Sequence, residues 1–183
     1  MTHQLPPTCV MDACFIIDWA RWSCRDLIWK AFSTGFVPEI VLREIVSPSS
    51  LGLLRRWIVE GWLTIYPHSS ELESEAVRLM LELRRDPRIP RIDAPEAVCV
   101  VIARRIGAVA LTENRGILRA YQLTPERLKP AVVWNSLRLL AYLYSKGFLD
   151  AESFYQLVEE YEEEVKHRFS KREVRRVALE FGV

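Results

Sequence analysis

The stretch RIDAPEAVCVVIARRIGAVALTENRG, Arg91 to Gly116, constrains the fold most, because it joins a capped helix to a buried strand with almost no connection between them. Asp93 stands as N-cap with Glu96 three positions on, the spacing of a capping box, and Arg104, Arg105 and Gly107 mark the other end. Ala97 to Ala103 is apolar without a break, so periodicity alone fits strand as well as helix. The caps and the length of the segment decide for helix. Ala108 to Thr112 then reads as a short buried strand. Glu113, Asn114, Arg115 and Gly116 follow at its carboxyl end, where open α/β sheets place their ligand sites. Glu96 and Asn114 are therefore expected on one rim.

Earlier in the chain, TCVM (Thr8 to Met11) reads as a buried strand ending at Asp12. A helix through Phe15, Ile16, Trp19, Trp22 and Leu27 follows, with Asp18 on its first turns. GFVP is a second strand leading into EIVLREI, where Glu44 interrupts an apolar face. Ser49 or Ser50 is expected to cap a helix that stops at Gly61, and WLTIY is the next strand. Ser70 with Glu73 forms a capping box for a helix carrying Ala76, Val77, Met80 and Leu83. Arg84, Arg85, Arg88 and Arg91, interleaved with Pro87 and Pro90, make a basic connection suited to holding a phosphate backbone.

Beyond Gly116 the pattern predicts a short helix to Tyr121, a turn-rich LTPERLKP, a last strand AVVW, and a helix capped by Asn135 and Ser136. Phe154, Leu157, Val158, Tyr161 and Val165 then recur at helical spacing. The outer face of that helix is acidic, with five glutamates between Glu159 and Glu164, and the final KREVRRVALEF is basic. Strands alternating with helices predict an α/β fold with a mostly parallel sheet sandwiched by helices. Residues 1-150 form this domain, and 151-183 are a C-terminal helical extension packed on it.

With 183 residues, half of them hydrophobic, the chain can bury a sizeable core. No apolar run reaches the roughly 20 residues of a membrane span, and the amino terminus lacks signal-peptide features, so a cytoplasmic protein with no membrane contact is expected. Cys9, Cys14, Cys24 and Cys99 show no paired spacing, and His3, His68 and His167 are scattered. Buried free thiols are expected rather than a zinc site or disulfides. A net charge of +1 argues against indiscriminate coating of nucleic acid but leaves room for a local basic groove. The six tryptophans read as core.

Asp12, Glu44 and Glu96 each fall at an element boundary beside apolar structure, and Asn114 offers a fourth oxygen. Such a set suits a hard cation, Mg²⁺ or Mn²⁺, which activates a bound water and screens the charge of an attacked phosphodiester. Taken singly, Asp12, Asp93 and Glu96 are adequate helix caps. Their joint register carries the functional reading. Asp18 and Glu113 are auxiliary acids, with solvated side chains as the default.

These segments resemble the PIN-domain family, the metal-dependent ribonuclease fold that includes VapC-like toxins. The resemblance runs roughly from Cys9 to Asp150. MDACFIIDW looks like the first strand and its acid, Asp12; VLREI looks like the second motif, giving Glu44. In EAVCVVIARRIGAVALTEN the spacing from Glu96 to Asn114 resembles the third acid and the position after the fourth strand. KPAVVWNSLRLLAYLYSKGFL resembles the closing strand and helix of one subgroup, with the Ser136 hydroxyl near the site. Asn114 stands where the family usually carries aspartate, and Ala13 and Cys14 where small hydroxyl or amide residues are common.

What the resemblance implies is a Mg²⁺- or Mn²⁺-dependent endoribonuclease with Asp12, Glu44, Glu96 and Asn114 as catalytic residues. Asp12, Glu96 and Asn114 would hold the metal, with Asp93 as a further candidate, and Arg84, Arg85, Arg88, Arg115 and Ser136 would contact RNA. It also implies a homodimer and a toxin role with a cognate antitoxin protein. The alternative is a catalytically degenerate PIN-like RNA-binding or protein-interaction module, which Asn114 favours. No glycine-rich phosphate loop or nucleophile elbow stands at a strand end, so a small-molecule α/β enzyme has little support.

Overall fold

β1 (Thr8–Met11), β2 (Thr34–Pro38), β3 (Leu63–Tyr66), β4 (Val109–Leu111) and β5 (Val132–Trp134) form one sheet in the order β3-β2-β1-β4-β5. The computed structural model describes residues 6–183; the amino-terminal end, with His3, lies outside them. All pairings are parallel, so the sheet is wholly rather than mostly parallel. Parallel neighbours need a crossover, and the crossover helices cover both faces. That is why the central strands are short apolar runs: Cys9, Val10 and Met11 of β1 are fully buried.

Eleven helices surround the sheet among the described residues: α1 (Ala13–Trp19), α2 (Ile28–Ala31), α3 (Glu39–Leu42), α4 (Pro48–Val59), α5 (Ser70–Leu83), α6 (Ala94–Ile106), α7 (Arg115–Leu123), α8 (Pro125–Leu128), α9 (Ser136–Ser145), α10 (Phe154–Val165) and α11 (Lys171–Phe181). The result is an α/β/α sandwich around a central parallel sheet. From β1 the chain steps outward through β2 and β3, then returns to lay β4 on the other side of β1. The order reverses between β1 and β4, and a crevice opens beyond the carboxyl ends of strands at such a point. Asp12 and Thr112, each the first residue past its strand, flank that crevice.

Several local expectations shift. The helix after Asp12 ends at Trp19 and gives way to a 3-10 turn, Arg25–Leu27. That segment is pulled back by the Trp19 indole, which donates to the Arg25 carbonyl at 2.7 Å. It is also pulled by Asp26, which accepts from Arg56 at 2.8 and 2.7 Å and from the Trp57 indole at 2.9 Å. The caps of α4 and α5 are Ser47 and Ser69, not Ser49, Ser50 or Ser70. Cys9 and Cys99 are buried, whereas Cys14 and Cys24 are exposed; all four are free. Trp19 and Trp57 belong to the core, and no described helix is long and apolar enough to cross a membrane.

The end of the chain is not a solvated appendage. α10 and α11 both pack on α9, and the Tyr161 ring lies 5.9 Å from Trp19 and 5.5 Å from Trp22. Glu162, expected on an acidic outer face, is 8 % exposed. It turns inward to accept from the Phe169 amide at 2.7 Å and from Arg168 at 2.8 Å. Glu164 accepts from the backbone and hydroxyl of Ser23 at 2.7 and 3.0 Å.

Candidate functional site

Asp12 is 1 % exposed and supported from two sides. Its Oδ1 accepts from the Phe15 amide at 2.7 Å, which caps α1, and its Oδ2 accepts from the Thr112 hydroxyl. Burial drives its pKa up to about 8, against the two hydrogen bonds, and the charges of Glu113 and Glu96 push the same way. Thr112 then links onward, since its Oγ1 accepts from the Asn114 amide at 2.9 Å.

Asn114 bridges two elements. Its Oδ1 accepts from the Ile117 amide at 3.0 Å and caps α7, and its Nδ2 donates to Glu96 Oε1 at 3.2 Å. The amide oxygen expected to face a metal is therefore committed to the helix, and the nitrogen faces the acid. An aspartate here would repel Glu96, whereas asparagine holds it. Glu96 makes no capping box with Asp93. Its other oxygen, Oε2, is buried with no hydrogen-bond partner. Asp93 occupies the N-cap position without a capping bond and pairs with the exposed Arg91 at 2.9 Å.

Glu44 lies just past α3, and its pKa is raised, first by partial burial and then by Glu96 and Asp93. At the rim, the thiol of the exposed Cys14 is pushed up to about 12 by partial burial of its sulfur, followed by Asp12, Glu96, Glu44 and Asp18. One thiol thus senses four carboxylates that are scattered in sequence, and at neutral pH it remains protonated.

A second group, read as solvated or scattered from the sequence, adjoins the first. The Glu113 side chain is 6 % exposed. Its Oε1 accepts from the amide and hydroxyl of Ser136 at 2.7 and 2.6 Å. Burial raises the Glu113 pKa to about 7, opposed by Ser136 and His167. His167, from the connection between α10 and α11, sits with Nδ1 2.8 Å from Asp18 Oδ2 and Nε2 3.7 Å from Glu113 Oε2. The Asp18 hydrogen bond, more than any other influence, raises its pKa. Ser136 is fully buried with its hydroxyl committed to Glu113, so it offers no surface to RNA.

The arginines separate. Arg84 and Arg91 line a mostly apolar groove of about 760 Å³ with Met80, Leu81 and Ile89, while Arg85 is exposed at the end of α5. Arg88, paired with Asp86 at 2.7 Å, lines a different groove with Arg115. The basic connection is not one continuous surface.

Chemically, three acids share the rim and lack a cationic partner among the described residues, and one buried carboxylate oxygen has no partner there at all. Such oxygens could hold a cation. Among the described residues no three His, Cys, Asp or Glu side chains already converge on a common centre. Mg²⁺ does not require that, because it keeps several waters and binds through one or two carboxylates. Asp12 and Glu96 fit the group.

No protein-family model and no curated protein matches the chain. A search of solved structures finds similarity to a chain in the crystal structure of VapBC2 from Rickettsia felis bound to a DNA fragment from their promoter. The identity is 15 %, the TM-score 0.49, and the match covers 70 % of this chain and 98 % of that one.

Proposed function

We propose that the chain is a metal-dependent endoribonuclease in which Asp12 and Glu96 hold Mg²⁺ or Mn²⁺ at the crevice between β1 and β4, with Glu44 beside them. The observation that carries this reading is the buried, partnerless Oε2 of Glu96 on a rim that also holds Asp12. An oxygen stripped of water with no donor is costly unless a cation occupies its lone pairs. When bound, the ion supplies a nucleophilic water and offsets charge on the attacked phosphodiester. Thr112 fixes the orientation of Asp12, and Asn114 fixes that of Glu96. Asp93 is exposed and tied to Arg91, which makes it an outer contact at most. The toxin role, a cognate antitoxin and a homodimer enter this proposal through the sequence resemblance alone.

The second reading, a binding module without catalysis, is favoured by one feature, the commitment of the Asn114 oxygen to α7. Cleavage of a panel of labelled RNAs with Mn²⁺, with Mg²⁺ and with chelator, alongside Glu96→Gln, separates the two. Cleavage that requires both metal and Glu96 is expected, with Glu96→Gln lowering the rate by roughly 10²-fold or more. A folded protein that cleaves nothing, and that Mn²⁺ does not stabilise against heat, leaves the binding module.

A further inference from the structure

We propose that the groove between α7 and α11 binds the phosphodiester backbone of single-stranded RNA and leads it to the acidic rim, which makes the C-terminal extension a substrate-binding element. The assignment rests on the nuclease reading for its purpose but not for its geometry. The groove encloses about 730 Å³. Arg115 and Arg119 project into it from α7, and Arg172 and Arg176 from α11.

Each pair is spaced i,i+4, which stacks two guanidinium groups on one helix face. Like charges at that spacing destabilise a helix. None of the four has a carboxylate partner within ion-pair distance among the described residues. Gln122 accepts from Arg119 at 3.3 Å or, with its amide turned, from Arg176 at 3.2 Å, but no carboxylate offsets the four guanidinium charges that face one another across the cleft, and they match a chain of phosphates.

Two further observations select a nucleic acid over an acidic peptide. His167 and Phe169 line the same groove with ring centroids 4.8 Å apart, a surface on which bases stack. The groove also reaches Glu113, the residue before Asn114, so a strand lying in it passes the rim. Its two carboxylates are already engaged: Glu113 by Ser136 and His167, and Glu173 by the Asn135 amide at 3.2 Å.

The test is fluorescence anisotropy with a fluorescein-labelled, mixed-sequence single-stranded RNA, in chelator, so that binding is read without cleavage. The whole chain is compared with Arg172→Ala/Arg176→Ala, Arg115→Ala/Arg119→Ala and, as a control, the exposed pair Arg55→Ala/Arg78→Ala outside both grooves, each checked for fold by circular dichroism. Both groove variants should lose about tenfold or more in affinity, and the slope of log K against log salt should shrink by about 0.7 per lost contact. The control pair should bind like the parent.

Parent-like affinity and slope in either groove variant would overturn the proposal. So would displacement of the RNA by poly-glutamate at equal charge concentration, which would make the groove a seat for an acidic protein segment. RNA cleavage that survives both groove variants with unchanged KM removes the groove and leaves the nuclease. Groove-dependent binding by a protein that never cleaves does the reverse.

Discussion

Asp12 is an acid buried at a strand end with two hydrogen bonds. Its folded pKa of about 8 lies above the ordinary 3.8, and Glu113, at about 7, lies above 4.5. Between those values the folded state binds more protons than the unfolded one, so both acids erode stability as pH rises through that window. We expect the metal-free melting temperature to fall between pH 5 and pH 8. Asp12→Asn should flatten that fall and stabilise the protein at pH 8 by on the order of 1–3 kcal/mol. A scan of thermal unfolding against pH checks this, and a parent that is more stable at pH 8 than at pH 5 would refute it. Asp12 itself was legible in the sequence as an acid directly after an apolar strand, although the same position also suits the helix cap it forms. Thr112 was not. It carried no mark beyond its place at the end of ALT, and its role appears only once β4 lies beside β1.

Among the elements, α6 and α7 set the distance between Glu96 and Asn114. The loop before α6 lies against the first turn of α7 at Gly116. A Cβ there would meet Ile92 Cγ1 at 2.6 Å and the carbonyl oxygens of Pro90 and Arg91 at 2.8 and 3.0 Å. Backbone cannot yield as a flexible side chain can. Gly116→Ala should therefore cost about 1–3 kcal/mol in urea unfolding and weaken any activity through Glu96. Loss of neither would mean that the loop moves freely. The capping signals around Asp93 and Gly107 were enough to find this helix, and Gly107 does close it with φ +64°. The same signals also give Glu96 a capping box with Asp93 that does not form, because a capping box and the acid facing Asn114 share one spacing. Only the position of Asn114 in space distinguishes them.

For the whole molecule, the decisive feature is the return of the chain's end to its beginning. His167 was one of three scattered histidines, and nothing local marks it; its partner Asp18 is 149 positions away. The raised pKa of His167 means its contribution is present below about pH 6.5 and fades as pH rises through the folded value. His167→Ala should accordingly cost more stability at pH 6 than at pH 9, by about 1 kcal/mol after allowance for solvent screening. It should also expose the connection between α10 and α11 to limited proteolysis; equal costs at the two pH values would refute the ion pairing. The clasp has an order in time as well as in space. Chains fold from the amino terminus as they are made, so every growing copy holds Asp12, Asp18 and Glu113 before the histidine and the α11 arginines exist. The surroundings of Glu113 are thus completed last, once the segment carrying His167 and α11 has emerged and packed back against Asp18 and α9.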